Sequence, residues 1–257
     1  MYKVAISGIN AVDNPGPGIG IAKSVKESDL ETTVFGLAYD AMEPGVYMKW
    51  LIDKSFIMPY PSEGEEPFVE RLLYIKSTYG LDAVIPALDA ELLLFIKGAS
   101  LLESSGIKTF LPTEEQFKLR GKDKLLKVAE SIEVKIPKTK VVTSYEELSK
   151  VIEEIGFPIM VKGIFYKAYK AYKAFNITQA TSYFNSIVSE WGYPVIVQEV
   201  VKGEEMNVVG VGDEEGGHFG LVGIKKLWIT SLGKIWTRVT IKNEKLLSAA
   251  ERFVKAF

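Results

Sequence analysis

The sequence predicts a two-part α/β chain, in which a mostly parallel sheet flanked by helices is followed by a smaller α+β unit. Short apolar runs alternate with amphipathic segments as far as about residue 112. A polar stretch with helix-cap and proline signals then precedes Pro137. Beyond it, two strand–helix repeats give way to four consecutive strands, the last three read as a meander.

From the N-terminus, KVAIS reads as a strand, NPGPGIG as a turn and IAKSVKES as a helix, with TTVFGL and SFIMP as further strands. EEPFVERLLYIKSTYG places Phe68, Val69, Leu72, Leu73 and Ile75 near helical spacing; DAVIPAL returns to strand, DAELLLFIKGASLLESS to helix, and KTFLP is expected as a fifth strand. Thr113 or Asp123 can cap helices in the linker. In the second part TKVVT, PIMVKG, PVIVQEV, EMNVVGVG, HFGLVGIKKLWIT and KIWTRVTI read as strands, the last three as an antiparallel meander with DEEGG as a hairpin turn. YEELSKVIEEIG and TQATSYFNSIVSEWG are the intervening helices.

Composition narrows the function classes. The 257 residues are 47% apolar and 25% charged, as expected of a soluble globular chain. With 31 basic against 33 acidic side chains there is no field to draw it to nucleic acid or an anionic membrane, so neither partner is expected. Cysteine is absent, which excludes disulfides, thiolate metal sites and thiol nucleophiles and is compatible with a cytoplasmic location. No apolar run reaches the ~18 residues of a membrane span, and the first residues read as a strand and turn rather than a signal peptide.

Several features invite chemistry, each beside a plainer account. GPGIG, Gly16 to Gly20, follows a strand and opens a helix, yet Ile21 stands where a dinucleotide fingerprint has its third glycine, so the motif is weak and a tight turn that lets helix and sheet approach is the plainer account. Asp89 and Glu91 follow directly on a parallel strand, where open α/β sheets meet ligands, but a capping Asp and a first-turn Glu would account for both. Lys162 ends PIMVK and Glu199 ends PVIVQE, charges that are expensive to bury unless an ionic ligand, or a salt bridge to each other, compensates them. A lysine suits a phosphate oxygen, and a carboxylate suits an adenine amino group or ribose hydroxyl. His218, the only histidine, sits beside the DEEGG tip as a surface or strand-start residue.

The combination DAVIPALDAE, LPT, GKDK, VKIPKT, PIMVKG, VIVQEVVKGEEMNVV and GIKKLWITSLGKIW resembles the ATP-grasp superfamily, and within it the large subunit of carbamoyl-phosphate synthase and its relatives. The resemblance implies an N-terminal Rossmann-like (pre-ATP-grasp) domain over 1–112, a helical linker over 113–136, a small ATP-grasp subdomain over 137–202 and a partial large subdomain over 203–257. It implies ATP as cofactor, with Lys124 and Lys162 on the phosphates, Glu199 and the backbone of Val201 at adenine, Glu205 on the ribose with Glu204 as its rival, and Lys226 also at the nucleotide. Asp89 and Glu91 are then substrate candidates for a ligase that activates a carboxylate or bicarbonate as an acyl phosphate. The alternative is a nucleotide-binding or assembly module without chemistry of its own.

Two departures from that family stand out. Its glycine- and serine-rich phosphate loop is replaced by GIFYKAYKAYKAFN, in which only Gly163 remains and Tyr166, Tyr169 and Tyr172 interleave with Lys167, Lys170 and Lys173. This repeat reads as a basic lid, a single-strand nucleic-acid platform, or a solvated strand or loop with partly packed tyrosines. The family also binds Mg2+ through acidic and Asn residues on strands that would follow NEKLLSAAERFVKAF, so the metal ligands are not found in these residues; Glu204, Asp213, Glu214 and Glu215 are poor substitutes. An open sheet edge is therefore expected, covered by self-association or by a separate C-terminal subunit.

Overall fold

The computed structural model describes residues 1–12, 16–121, 124–164, 171–229 and 235–257. The chain divides into two compact units, Met1–Phe117 and Lys118–Phe257.

The first unit is a four-stranded parallel sheet in the order β3-β2-β1-β4, built from β1 (Tyr2–Ile6), β2 (Thr32–Ala38), β3 (Lys54–Ile57) and β4 (Ala83–Ile85). Strand alternation divides its core in two. Ala5, Phe35, Leu37 and Val84 face α2 (Glu65–Tyr79) and α3 (Asp89–Ser104), which supply Phe68, Leu72, Phe95 and Leu102. Ile6, Val34 and Ala38 point to the other face, where α1 (Gly18–Lys26) supplies Ala22. The expected fifth strand is reduced to one bridge, Ala83 to Lys108. Val84 N–H donates to Lys108 O and Lys108 N–H to Asp82 O, but Thr109 Oγ1 turns to Glu103 and Pro112 has no N–H with which to continue a ladder.

The glycine turn serves close approach. Gly18 N–H donates to Gly8 O at 3.1 Å, and a Cβ on Gly18 would lie 1.9 Å from Ser7 O. Only glycine lets α1 begin so near the end of β1, as the plainer account expects.

Across the junction, α4 (Glu114–Leu119) is capped by Thr113, whose Oγ1 accepts from Gln116 N–H while Gln116 Oε1 accepts from Thr113 N–H. Asp123 lies outside the described residues. Then α5 (Leu125–Ser131) follows within the second unit.

The second unit holds two antiparallel sheets. One has the order β5-β8-β6-β7, from β5 (Thr139–Val142), β6 (Ile159–Gly163), β7 (Ala171–Ala174) and β8 (Val195–Glu199). Val142, Ile159, Val161, Ala174, Val195 and Val197 pack against α6 (Tyr145–Ile155) and α7 (Ile177–Trp191), capped by Ser144 and Asn176. The other sheet is the meander β9 (Met206–Gly212), β10 (His218–Ile229) and β11 (Ile235–Ile241), followed by α8 (Glu244–Ala256). Asp213 Oδ1 closes the β9–β10 turn by accepting from Glu215 and Gly217 N–H. Among the described residues no helix is long and apolar enough to cross a membrane.

Candidate functional site

The helices α6 and α7 cover one face of the β5-β8-β6-β7 sheet, and the side chains of opposite parity form the other. Lys162 stands opposite Ile196 in the β6–β8 register, so it shares that second face with Met160, Ile196 and Gln198. Glu199 stands opposite the core residue Ile159 and so has the parity of the helix-covered face. The salt bridge between Lys162 and Glu199 that the sequence allowed is therefore absent. Lys162 Nζ instead donates to Gln198 Oε1 at 2.6 Å, and Gln198 Nε2 donates to Thr139 Oγ1 at 2.7 Å. Glu199 Oε1 accepts from Lys138 N–H at 3.0 Å, while its own N–H donates to Lys138 O, pinning the entry of β5 to the end of β8.

Lys162 is the electrostatically notable residue. Burial holds its pKa below that of an ordinary lysine, and the Glu205 carboxylate opposes this. Glu205 immediately precedes β9 and pairs with Lys226 of β10, Nζ to Oε2 at 2.5 Å. Glu204 pairs instead with Lys225. The register separates the two pairs. Lys225 has the parity of Gly223, whose Cβ direction points at Leu246 of α8, and Lys226 the opposite parity. Glu205 is thus the glutamate whose charge reaches Lys162, and Lys162, Glu205 and Lys226 form one cluster with Gln198 behind it.

The remaining sequence candidates have surroundings of their own. Val201 is exposed just beyond β8, and Lys124 is exposed at the start of α5. In the first unit, Glu91 is fully buried: it accepts from Ala87 and Leu88 N–H at 3.1 Å, from the Ser7 hydroxyl and from the Tyr39 hydroxyl. These donors sit just past the ends of β1, β2 and β4, so Glu91 ties three loops together at the carboxyl edge of the sheet. It caps its own helix in the first turn, whereas Asp89 begins that helix with an exposed side chain.

Of the YKA repeat, Tyr166, Lys167, Tyr169 and Lys170 lie outside the described residues. Its last copy is strand β7, where Tyr172 stacks on Tyr183 at 4.5 Å between ring centroids and Lys173 lies over the Phe175 ring. The sequence left strand and loop open there because the repeat's period of three masks the alternation of a sheet. Gly163 has a packing reason: a Cβ there would fall 2.2 Å from the Trp191 ring. His218 opens β10, with Nε2 3.8 Å from Glu251 and Nδ1 buried without a hydrogen-bond partner.

Sequence reasoning passed over Gln198, Thr139 and Trp191. The available signal for Gln198 was its place two residues beyond Ile196 on the face of Lys162, which only the strand register reveals. Among the described residues no three His, Cys, Asp or Glu side chains gather as a metal site, and both Glu204 and Glu205 are paired with lysines. The residues therefore fit an anionic ligand at Lys162 and do not by themselves fit a Mg2+ ion.

No family model matches the sequence. The carbamoyl phosphate synthase large chain of Clostridium botulinum (strain Eklund 17B / Type B) is 22% identical over 196 residues, 75% of this chain and 17% of that protein. The chain thus spans about a sixth of the length of that relative. The biotin carboxylase of Campylobacter jejuni, solved as a complex with β,γ-ATP, superposes with a TM-score of 0.74 at 16% identity, over 99% of this chain and 59% of the other. The biotin carboxylase domain dimer of Hydrogenobacter thermophilus 2-oxoglutarate carboxylase, solved with MgADP, ADP and bicarbonate, gives 0.71 at 16% identity, over 99% and 57%. An ADP complex of N5-carboxyaminoimidazole ribonucleotide synthetase gives 0.69 at 13% identity, over 99% and 63%. The chain has an ATP-grasp fold, and its sequence is similar to that of the carbamoyl phosphate synthase large chain.

Proposed function

We propose that the second unit binds ATP on the face of the β5-β8-β6-β7 sheet opposite α6 and α7, as the nucleotide-binding portion of a ligase of carbamoyl-phosphate synthase type. The observation that carries this is Lys162: a half-buried ammonium on the sheet face opposite α6 and α7, hydrogen-bonded to the neutral Gln198 and, among the described residues, in no ion pair. Such a charge is costly unless a ligand anion completes it. Small and large subdomains over 137–202 and 203–257, and a linker over 113–136 after the N-terminal domain, are part of the same reading.

In it Lys162 meets phosphate oxygens, and Lys124 approaches them from α5. The exposed backbone at Val201 takes the adenine edge, with Glu199 fixing the strand end that presents it. Glu205, steadied by Lys226, accepts from ribose hydroxyls. ATP supplies a phosphoryl group for a carboxylate or bicarbonate; this chain's residues orient the nucleotide and balance its charge. Substrate contacts belong to the carboxyl edge of the first sheet, with Asp89 exposed there and Glu91 holding the loops rather than touching the substrate.

A second reading, a binding or assembly module that needs a partner chain or a second copy, is favoured by the exposed Val209, Val211 and Val222 on β9 and β10. Calorimetric titration with ATP, with and without magnesium, tests the binding site, with GTP as the control for adenine recognition. ATP turnover with bicarbonate, at enzyme rates of ~1 to 10³ per second, separates the ligase from the module. Absence of nucleotide binding contradicts the ATP site and leaves only the assembly module.

A further inference from the structure

The amide of Gln198 is oriented by its surroundings. Thr139 has one hydroxyl hydrogen, and it is donated to Pro137 O at 2.7 Å. Thr139 Oγ1 can therefore only accept, which requires the Nε2 end of Gln198 to face it and turns Oε1 towards Lys162. The reverse flip would set an amide donor against an ammonium donor. Three strands, β5, β8 and β6, thus fix one lysine through a chain whose donors and acceptors all run one way.

The partner's neutrality matters as much as its position. A glutamate at 198 would reach the same Nζ and form an ion pair, leaving little positive charge for an anion. Glutamine accepts one hydrogen bond and removes no charge. Two of the three ammonium hydrogens are left for other acceptors. Charged groups on the surrounding strands complete the field: Glu205 and Lys226 from the meander, and Lys173 of β7, which shares the face of Lys162.

We infer that Gln198, held by Thr139, is a positioning residue that aims the Lys162 ammonium at an anionic ligand while leaving its charge uncompensated. The inference rests on the nucleotide reading for the identity of that ligand, the ATP phosphates.

The test compares wild type with Gln198→Glu, Gln198→Met and Thr139→Val. In calorimetry, Gln198→Glu lowers ATP affinity at least ~10-fold, equivalent to ~1.4 kcal/mol, and leaves adenosine within about twofold. Gln198→Met, which keeps the shape but loses the acceptor, and Thr139→Val, which frees the amide to flip, each lower ATP affinity by a smaller factor. A ligand-free readout accompanies this: the pH titration of the Lys162 side chain by NMR in carbon-13 lysine-labelled protein, assigned with Lys162→Arg. Its midpoint rises in Gln198→Glu, an effect that a merely structural role would not produce. Equal losses for ATP and adenosine, or a Lys162 midpoint unmoved by Gln198→Glu, overturn the inference. If wild type binds neither ligand while the midpoint still rises, the nucleotide reading fails and the control of Lys162 by Gln198 stands.

Discussion

Glu205 and Lys226 meet at 2.5 Å across the start of the β9–β10 ladder, on the face opposite α8, while their sequence neighbours Glu204 and Lys225 pair on the α8 side. Two adjacent glutamates therefore have different surroundings because strand parity separates the lysines that hold them.

This predicts unequal mutants. Glu205→Gln weakens ATP and adenosine alike, by roughly tenfold, because the ribose is common to both and a charge-assisted acceptor is lost. Glu204→Gln changes either affinity by less than about twofold. Fluorescence titration with both ligands checks it, and the reverse ranking would move the ribose contact to Glu204.

Gly163 should tolerate no side chain. Alanine there puts Cβ at 2.2 Å from Trp191, so β6 or α7 must shift at about 1–3 kcal/mol. Chemical denaturation of Gly163→Ala and of Gly163→Ala/Trp191→Leu measures this. Recovery in the double variant is expected, since it removes the ring that causes the clash.

Glu91 is predicted to act on the stability of the first unit. Replacement by Leu leaves the Leu88 N–H and the Ser7 and Tyr39 hydroxyls without their acceptor, while Ala87 N–H keeps Ser7 Oγ at 2.7 Å, a loss of about 2–5 kcal/mol. Tyr39→Phe removes one donor and costs about 1 kcal/mol. Denaturation curves order the variants. If Glu91→Leu is as stable as wild type, the carboxylate is not what ties the three loops.

Tyr39 also carries a pH signature. Burial, and then the charge and hydrogen bond of Glu91, push its phenol well above the ordinary range. Above about pH 10 the unfolded chain releases this proton while the folded chain keeps it, so stability is full below pH 10 and falls as pH rises further. Stability measured from pH 9 to 11 should fall less steeply in Tyr39→Phe than in wild type. Equal slopes would mean that Tyr39 does not contribute.

The sequence was legible where periodicity and local chemistry agree. Apolar runs located the parallel strands of the first unit, and Thr113 identified its own helix start. The meander was readable because DEEGG is a hairpin turn. What stayed hidden depends on pairing between distant segments. KTFLP has strand composition but only Lys108 finds a ladder partner, and β7 has a period that disguises it. Lys162 and Glu199 end neighbouring strands, yet the β6–β8 register places them on opposite faces, so the partner of Lys162 is the adjacent Gln198. Charge and strand-end position pointed to Lys162; register alone could point to Gln198.

The central claim, that Lys162 is held for the phosphates of a nucleotide, is tested most directly by ATP and adenosine affinities of wild type and Lys162→Met, measured side by side in calorimetry. The account predicts that ATP affinity falls roughly 10- to 100-fold, from loss of a charge-assisted contact of about 1.5–3 kcal/mol, while adenosine stays within about twofold. Because burial depresses the Lys162 pKa, the charged lysine is a burden to the fold at neutral pH, so the variant's melting temperature should be unchanged or higher. Equal weakening of ATP and adenosine, or a lowered melting temperature with ATP affinity intact, would contradict it and make Lys162 a structural residue.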